Sequence, residues 1–297
     1  MNCLNVSEKL VFIGGDLRQI RVINQIAKCG IGVSILGFDG ESMKKIDDIA
    51  ERLNSIDELK NNAYTAVLPL PYTIDGVNIN APFYSGKMPV SEIVKAVPKQ
   101  TCILAGRCDE RLRTMCEIYN IRLIDYFCRE ELMMLNAIPT AEGAIQIAME
   151  ELPHTVHSSE CLVIGNGRIG KILAKMLCGI GAKVTVSARK RKDLAQISAF
   201  GYEGVPIWEL HDYIGKFDII FNTVPSMILD RDLLTKVHRH CLIIDLASKP
   251  GGVDFAAAHE AGIKTVHALS LPGKVAPDTA GDIIKNTILN ILDEMKE

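Results

Sequence analysis

Residues 161–170 read CLVIGNGRIG, and the fold is decided there. Gly165, Gly167 and Gly170 form G-x-G-x-x-G where an apolar, strand-like run gives way to the apolar-periodic residues 171–178. A second strand-like run follows at residues 183–186, which completes the β-α-β context that a dinucleotide fingerprint requires within about thirty residues. Each glycine has its own mechanical role. Gly165 permits a tight turn, Gly167 lets the backbone approach a pyrophosphate, and Gly170 lets the helix pack on the strand. The helix N-terminus adds free N–H donors and the positive end of a dipole.

Outward from that motif, a helix around residues 194–199 and strands at 217–223, 241–246 and 263–268 complete a doubly wound, six-strand-like domain. Upstream, strands at 10–13, 32–36, 64–68, 101–104 and 121–124 alternate with helical stretches, which predicts a second covered, parallel sheet. The connection at residues 68–89 is rich in Pro, Gly and Asn and longer than a plain link, the mark of a functional loop. Pro139 is expected to end or kink a helical run over residues 130–152, giving two helices that meet at an interdomain hinge at residues 136–140. Apolar positions 283, 284, 288, 291, 292 and 295 form one stripe of a C-terminal helix that wants a partner surface. The expected class is α/β with two doubly wound parallel-sheet domains, the second a Rossmann dinucleotide-binding domain, and a cleft between them. The boundaries are 1–128 for a substrate-side domain, 129–152 for the hinge helices and 153–275 for the Rossmann domain; residues 276–297 pack back on the first domain or on a second subunit.

A chain of 297 residues exceeds what one hydrophobic core usually serves, in keeping with two domains. A formal charge of −3 with mixed signs argues against nucleic acid as a main partner. The nine cysteines are scattered without a CxxC pair and read as reduced core thiols of a cytoplasmic protein. No apolar stretch reaches the roughly eighteen residues of a membrane helix, and residues 1–10 carry no signal-peptide core. The expectation is a soluble, cytoplasmic protein without a membrane segment. No histidine spacing suggests a metal site, and His267, inside an apolar strand pattern, reads as a satisfied core residue.

The second strand of the motif unit ends not in the acidic residue of NAD binders but in Ser187-Ala188-Arg189-Lys190. A hydroxyl and a guanidinium suit a 2′-phosphate, which a carboxylate would repel, so NADP is favoured over NAD. Asn222, Thr223 and Pro225 follow the fourth strand and fall in the nucleotide crevice, as residues 247–252 do after the fifth. Lys274, on a Pro-Gly turn, either binds a substrate carboxylate, moves a proton or is simply solvated. In the first domain Gly14-Gly15-Asp16 with Arg18 forms a second, incomplete glycine turn better suited to a carboxylated substrate. Arg107, after the fourth strand, would join Arg18 there, and Thr140 and Glu142 stand at the hinge, with Glu142 a proton acceptor or a plain helix charge.

Together, GGD with Arg18 and Gln19, NAIPTAEGAIQIAM at 136–149, VIGNGRIGK, SARK and LSLPGKVAP span almost the whole chain and resemble the dipicolinate synthase A-subunit family. The resemblance implies an NADP-dependent oxidoreductase that forms dipicolinate from a dihydrodipicolinate-type intermediate of the lysine pathway during sporulation. It also implies work beside the flavoprotein-like B-subunit of dipicolinate synthase. By the same resemblance the dinucleotide site falls on Gly165, Asn166, Gly167, Arg168, Ile169, Ser187, Arg189 and Lys190, and the substrate side on Asp16, Arg18, Thr140, Glu142 and Lys274. A small dicarboxylate substrate and a homo-oligomer complete the expectation. The alternatives are a hydroxy-acid, shikimate-like or alanine-dehydrogenase-like reductase, and a non-catalytic NADP-binding subunit.

Overall fold

The computed structural model describes residues 9–61 and 64–296, which divide into two compact units, Met1–Met133 with Ala276–Glu297, and Met134–Val275. The first unit runs β1 (Leu10–Ile13), α1 (Leu17–Lys28), β2 (Val33–Leu36), β3 (Glu51–Arg52), β4 (Thr65–Val67), α2 (Val90–Ala96), β5 (Cys102–Ala105), α3 (Glu110–Ile118) and β6 (Arg122–Asp125). All pairs are parallel, in the order β3-β2-β1-β4-β5-β6. Alternate residues of the inner strands feed two cores: Leu10, Phe12, Ile35 and Leu104 on one face, Val11, Ile13, Leu36 and Ile103 on the other. Burial on both faces explains why these strands read as unbroken apolar runs. The exposed Glu51–Arg52 strand lies at the sheet edge.

Helix α4 (Glu130–Glu151) leads from the first unit into the second. The expected break at Pro139 is absent, and one helix runs through the proline. The ring removes one rung of the ladder, at the carbonyl of Leu135, and the Thr140 hydroxyl adds a bond to the Asn136 carbonyl at 2.8 Å. The flanking residues, mostly Ala, Leu, Met, Glu and Gln, are strong helix formers that carry the helix across this defect.

The second unit continues with β7 (Glu160–Ile164), α5 (Arg168–Ile180), β8 (Lys183–Ala188), α6 (Arg191–Ala199), β9 (Glu203–Pro206), α7 (Leu210–Tyr213), β10 (Ile219–Asn222), α8 (Arg231–Leu234), β11 (Leu242–Asp245), α9 (Phe255–Glu260), β12 (Lys264–His267) and α10 (Leu271–Val275). Its parallel sheet has the order β12-β11-β10-β7-β8-β9, the dinucleotide-fold order, and the first unit repeats the same winding. Lys274, expected on a turn, lies on the single-turn helix α10, whose Pro272 falls in the first turn, where no backbone N–H is needed. Gly143 lets α10 approach α4, since a Cβ there would stand 3.2 Å from Leu271 and Val275.

The last helix, α11 (Pro277–Glu294), belongs to the first unit and packs on α1. Its stripe of Ile283, Ile284, Ile288, Ile291 and Leu292 is buried, each side chain contributing about 1.5–3 kcal/mol. The two helices meet closely at Gly281, where a Cβ would lie 2.7 Å from the Arg21 side chain, and the Arg21 guanidinium pairs with both carboxylate oxygens of Asp282 at 2.9 Å.

Candidate dinucleotide site

The chain leaves β7 through Gly165, whose φ of +105° only glycine adopts without strain. A Cβ there would press on the Thr223 hydroxyl at 2.3 Å and on Val224 at 2.9 Å, so the turn after β7 and the loop after β10 lie in contact. Thr223 reinforces the junction by donating to the Ile164 carbonyl at 2.9 Å. At Gly170 a Cβ would come within 2.0 Å of the Gly165 carbonyl oxygen, the tightest glycine requirement in the unit. Gly167 differs: it is exposed, caps α5 without a side chain, and a Cβ on it would meet nothing within 4 Å. The open side of the turn is thus the N-terminus of a thirteen-residue helix whose first-turn amides have no side-chain cap. The sheet order reverses between β7 and β10, so this open end lies at the topological switch point. These features fit a bound dinucleotide pyrophosphate.

Asn166, half-buried, uses its amide on the Gln196 side chain at 3.2 Å, which ties the glycine turn to α6. Ile169 packs half-buried against the core, and Arg168 opens α5. Ser187 pairs its carbonyl with the Gly165 N–H at 2.8 Å, but its side chain is fully buried and its hydroxyl finds no partner among the described residues. A group sealed beneath the strand end does not face a ribose phosphate. Arg189 and Lys190 lie exposed directly after β8.

Asn222 is likewise internal. Its amide donates to Asp245 at 2.8 Å and to the Val224 carbonyl at 3.0 Å, and its oxygen accepts from the Val224 N–H at 3.2 Å. It holds the loop, while Pro225 lies exposed at the loop surface. The residue that sequence reading missed is Asp245, which is fully buried and also accepts from the Ala247 and Gly252 amides at 3.1 and 3.0 Å. The available signal was a lone acid closing an apolar strand, CLIID, before a glycine pair. His267 is half-buried, with Nε2 3.4 Å from the Ala247 carbonyl oxygen and its ring against Phe255.

The first unit repeats the geometry but not the opening. Asp16 stands at the cap of α1, where its carboxylate accepts from the Arg18 N–H at 3.0 Å and pairs with the Arg18 guanidinium at 2.6–3.1 Å. Arg18 also donates to the Leu70 carbonyl beside the cis Leu70–Pro71 bond. Arg18 is buried, and the carboxylate it meets in this structure is the chain's own. Next to Arg107, a Cβ on Gly106 would touch the Leu70 side chain at 2.7 Å, so Arg107 follows a close approach of the chain to Leu70. Its backbone is held at φ +64° by an N–H bond to Asp125 at 3.0 Å, and its side chain is exposed. Thr140 spends its hydroxyl inside α4, Glu142 lines an open groove with Ile145, Met149, Met176 and Ile180, and Lys274 is exposed on α10.

Among the described residues no helix is long and apolar enough to cross a membrane, and no group of three or more His, Cys, Asp or Glu is placed to hold a metal.

The family model of the N-terminal domain of the dipicolinate synthase A-subunit matches residues 9–127, and that of shikimate/quinate 5-dehydrogenase matches residues 146–270. The dipicolinate synthase A-subunit of Bacillus subtilis is 33% identical over 298 residues, 97% of both chains. The crystal structure of that B. subtilis protein superposes with a TM-score of 0.91 at 32% identity, covering 100% of this chain and 99% of the other. The A-subunit from Bacillus halodurans gives 0.88 at 30% identity, covering 96% and 97%.

Proposed function

The chain belongs to the dipicolinate synthase A-subunit family, and from that membership we propose that it is an NADP-dependent oxidoreductase forming dipicolinate from a dihydrodipicolinate-type intermediate during sporulation. The observation that carries the cofactor assignment is the pairing of an uncapped, unobstructed Gly167 turn with Arg189 and Lys190 where an NAD-binding acid would stand. The pyrophosphate is held by the α5 amides, and the 2′-phosphate by Arg189 with Lys190.

The bound nicotinamide supplies the two-electron acceptor for hydride. Removing hydride and a proton from a dihydropyridine dicarboxylate leaves an aromatic ring, so the protein's work is chiefly to orient the substrate and take the proton. Two carboxylates call for cations; Lys274, exposed on α10 of the same unit as Glu142, supplies one. Glu142, an exposed carboxylate on α4, accepts the proton. Thr140 keeps the helix in shape beside it, and the Asp16–Arg18 pair shapes the loop at Leu70. The protein acts in the cytoplasm as a homo-oligomer, together with the flavoprotein-like B-subunit.

The test is reconstitution of this chain with the B-subunit, given lysine-pathway precursor and NADP⁺. Dipicolinate absorbance should rise together with NADPH; the absence of both overturns the assignment. Tight NADP⁺ binding without turnover under every condition would instead make the chain a binding subunit.

A further inference from the structure

We infer that Asp245 makes this site hold the oxidised, cationic nicotinamide more tightly than the reduced, neutral one, an inference that rests on the cofactor assignment above. The side chain is 0% exposed at the carboxyl end of β11. One oxygen accepts from Asn222 Nδ2 and the Ala247 N–H, the other from the Gly252 N–H, so both act as acceptors, as in a carboxylate anion. All these partners are neutral amides. His267, opposite Asp245 in register on β12, turns its Nε2 to the Ala247 carbonyl instead.

The loop around this anion is built to leave it room. Gly251 has φ +89°, and a Cβ there would stand 2.7 Å from an Asp245 oxygen; one on Gly252 would stand 2.3 Å from Asn222 Nδ2. Three amide donors offset the cost of burying the charge but leave it uncancelled, and water does not reach it to screen its field. The charge is also connected to the site. Asn222 binds both Asp245 and the backbone of Val224, and Val224 and Thr223 lean on the Gly165 turn. The nicotinamide half of a dinucleotide bound at that turn lies over the β10 and β11 side of the switch point. Oxidised and reduced cofactor differ by one positive charge on that ring, so a fixed, unpaired anion at the end of β11 favours the oxidised form. Asp245 does this as a positioning residue, through its field, without touching the reacting atoms.

The experiment measures dissociation constants of NADP⁺ and NADPH separately by calorimetry, for the wild type and for Asp245→Asn and Gly252→Ala. The wild type should bind NADP⁺ more tightly. Asp245→Asn should cost the oxidised form about tenfold more than the reduced, ~1.4 kcal/mol. Gly252→Ala moves the loop but keeps the charge, so it should weaken both forms equally and leave their ratio unchanged. A ratio unmoved by Asp245→Asn overturns the inference. If that variant fails to melt cooperatively, the wild-type ratio decides, and NADPH bound as tightly as NADP⁺ is the refuting result. Binding of neither form by the wild type would refute the cofactor assignment instead.

Discussion

Replacing Gly170 with alanine tests the glycine turn where it is tightest. The new Cβ would lie 2.0 Å from the Gly165 carbonyl oxygen. An ordinary contact is about 3.4 Å, and backbone stands on both sides, so no rotamer change relieves the clash and α5 must move off β7 by about 1 Å or more. Overpacking of this kind costs about 1–3 kcal/mol and here falls at or beyond the upper end, while alanine's helix propensity returns about 1 kcal/mol. The net expectation is a loss of about 2–3 kcal/mol, or a drop of roughly 4–12 °C in the midpoint of a domain of this size. Gly179 provides the internal control. It lies in the same helix, is exposed, and a Cβ there would meet nothing within 4 Å. Gly179→Ala should therefore stabilise by about 0.5–1 kcal/mol. Thermal and urea unfolding of both variants, with NADP⁺ titration of each, gives the comparison. If Gly170→Ala matched Gly179→Ala in sign and still bound cofactor normally, the close-approach reasoning would be refuted.

Two further outcomes are expected. Arg189→Glu should weaken NADP⁺ binding by about 10–100-fold, since a charge-assisted phosphate contact is lost and a repulsion added, with little effect on NAD⁺; unchanged NADP⁺ affinity would count against a phosphate site after β8. Burial pushes the thiols of Cys116 and Cys161 up to about 11 and about 12, so at pH 8 they carry almost no thiolate. Iodoacetamide at that pH should modify Cys29, Cys128 and Cys178, which are exposed, and spare Cys102, Cys116, Cys161 and Cys241 until denaturant is added, as peptide mass spectrometry would show. Cys128 and Cys178, whose thiols are also raised by partial burial, should speed up as pH rises further. The three exposed thiols qualify the expectation that the cysteines are core residues, and Cys3 lies outside the described residues.

The inner strands were legible because burial on both faces favours apolar residues along the run, as in Leu10–Ile13 and residues 219–221. Two edge strands, β3 and β9, were not. Glu51–Arg52 has two exposed charged residues and Glu203–Pro206 contains Gly and Pro, so neither carries a period to read. Pro139 misled because a local rule was applied to a helix held by its neighbours. The glycine turn was legible because Gly165 and Gly170 answer steric demands that a fingerprint encodes, while Gly167 leaves the helix end open. The chemistry of the charged residues was less so: a guanidinium is equally suited to a substrate's carboxylate and to Asp16, and only the three-dimensional partner tells them apart. Asp245 was invisible for the converse reason, as nothing in CLIID says that its acid is turned inward.

The two units share one winding, yet where the second leaves its helix end bare with Gly167, the first places Asp16. That carboxylate is a built-in counterion which occupies, as a covalent part of the chain, the seat an incoming phosphate would need. On the cofactor assignment proposed above, the expected stoichiometry is one dinucleotide per polypeptide, because the helix end of the first unit is already filled by its own side chain.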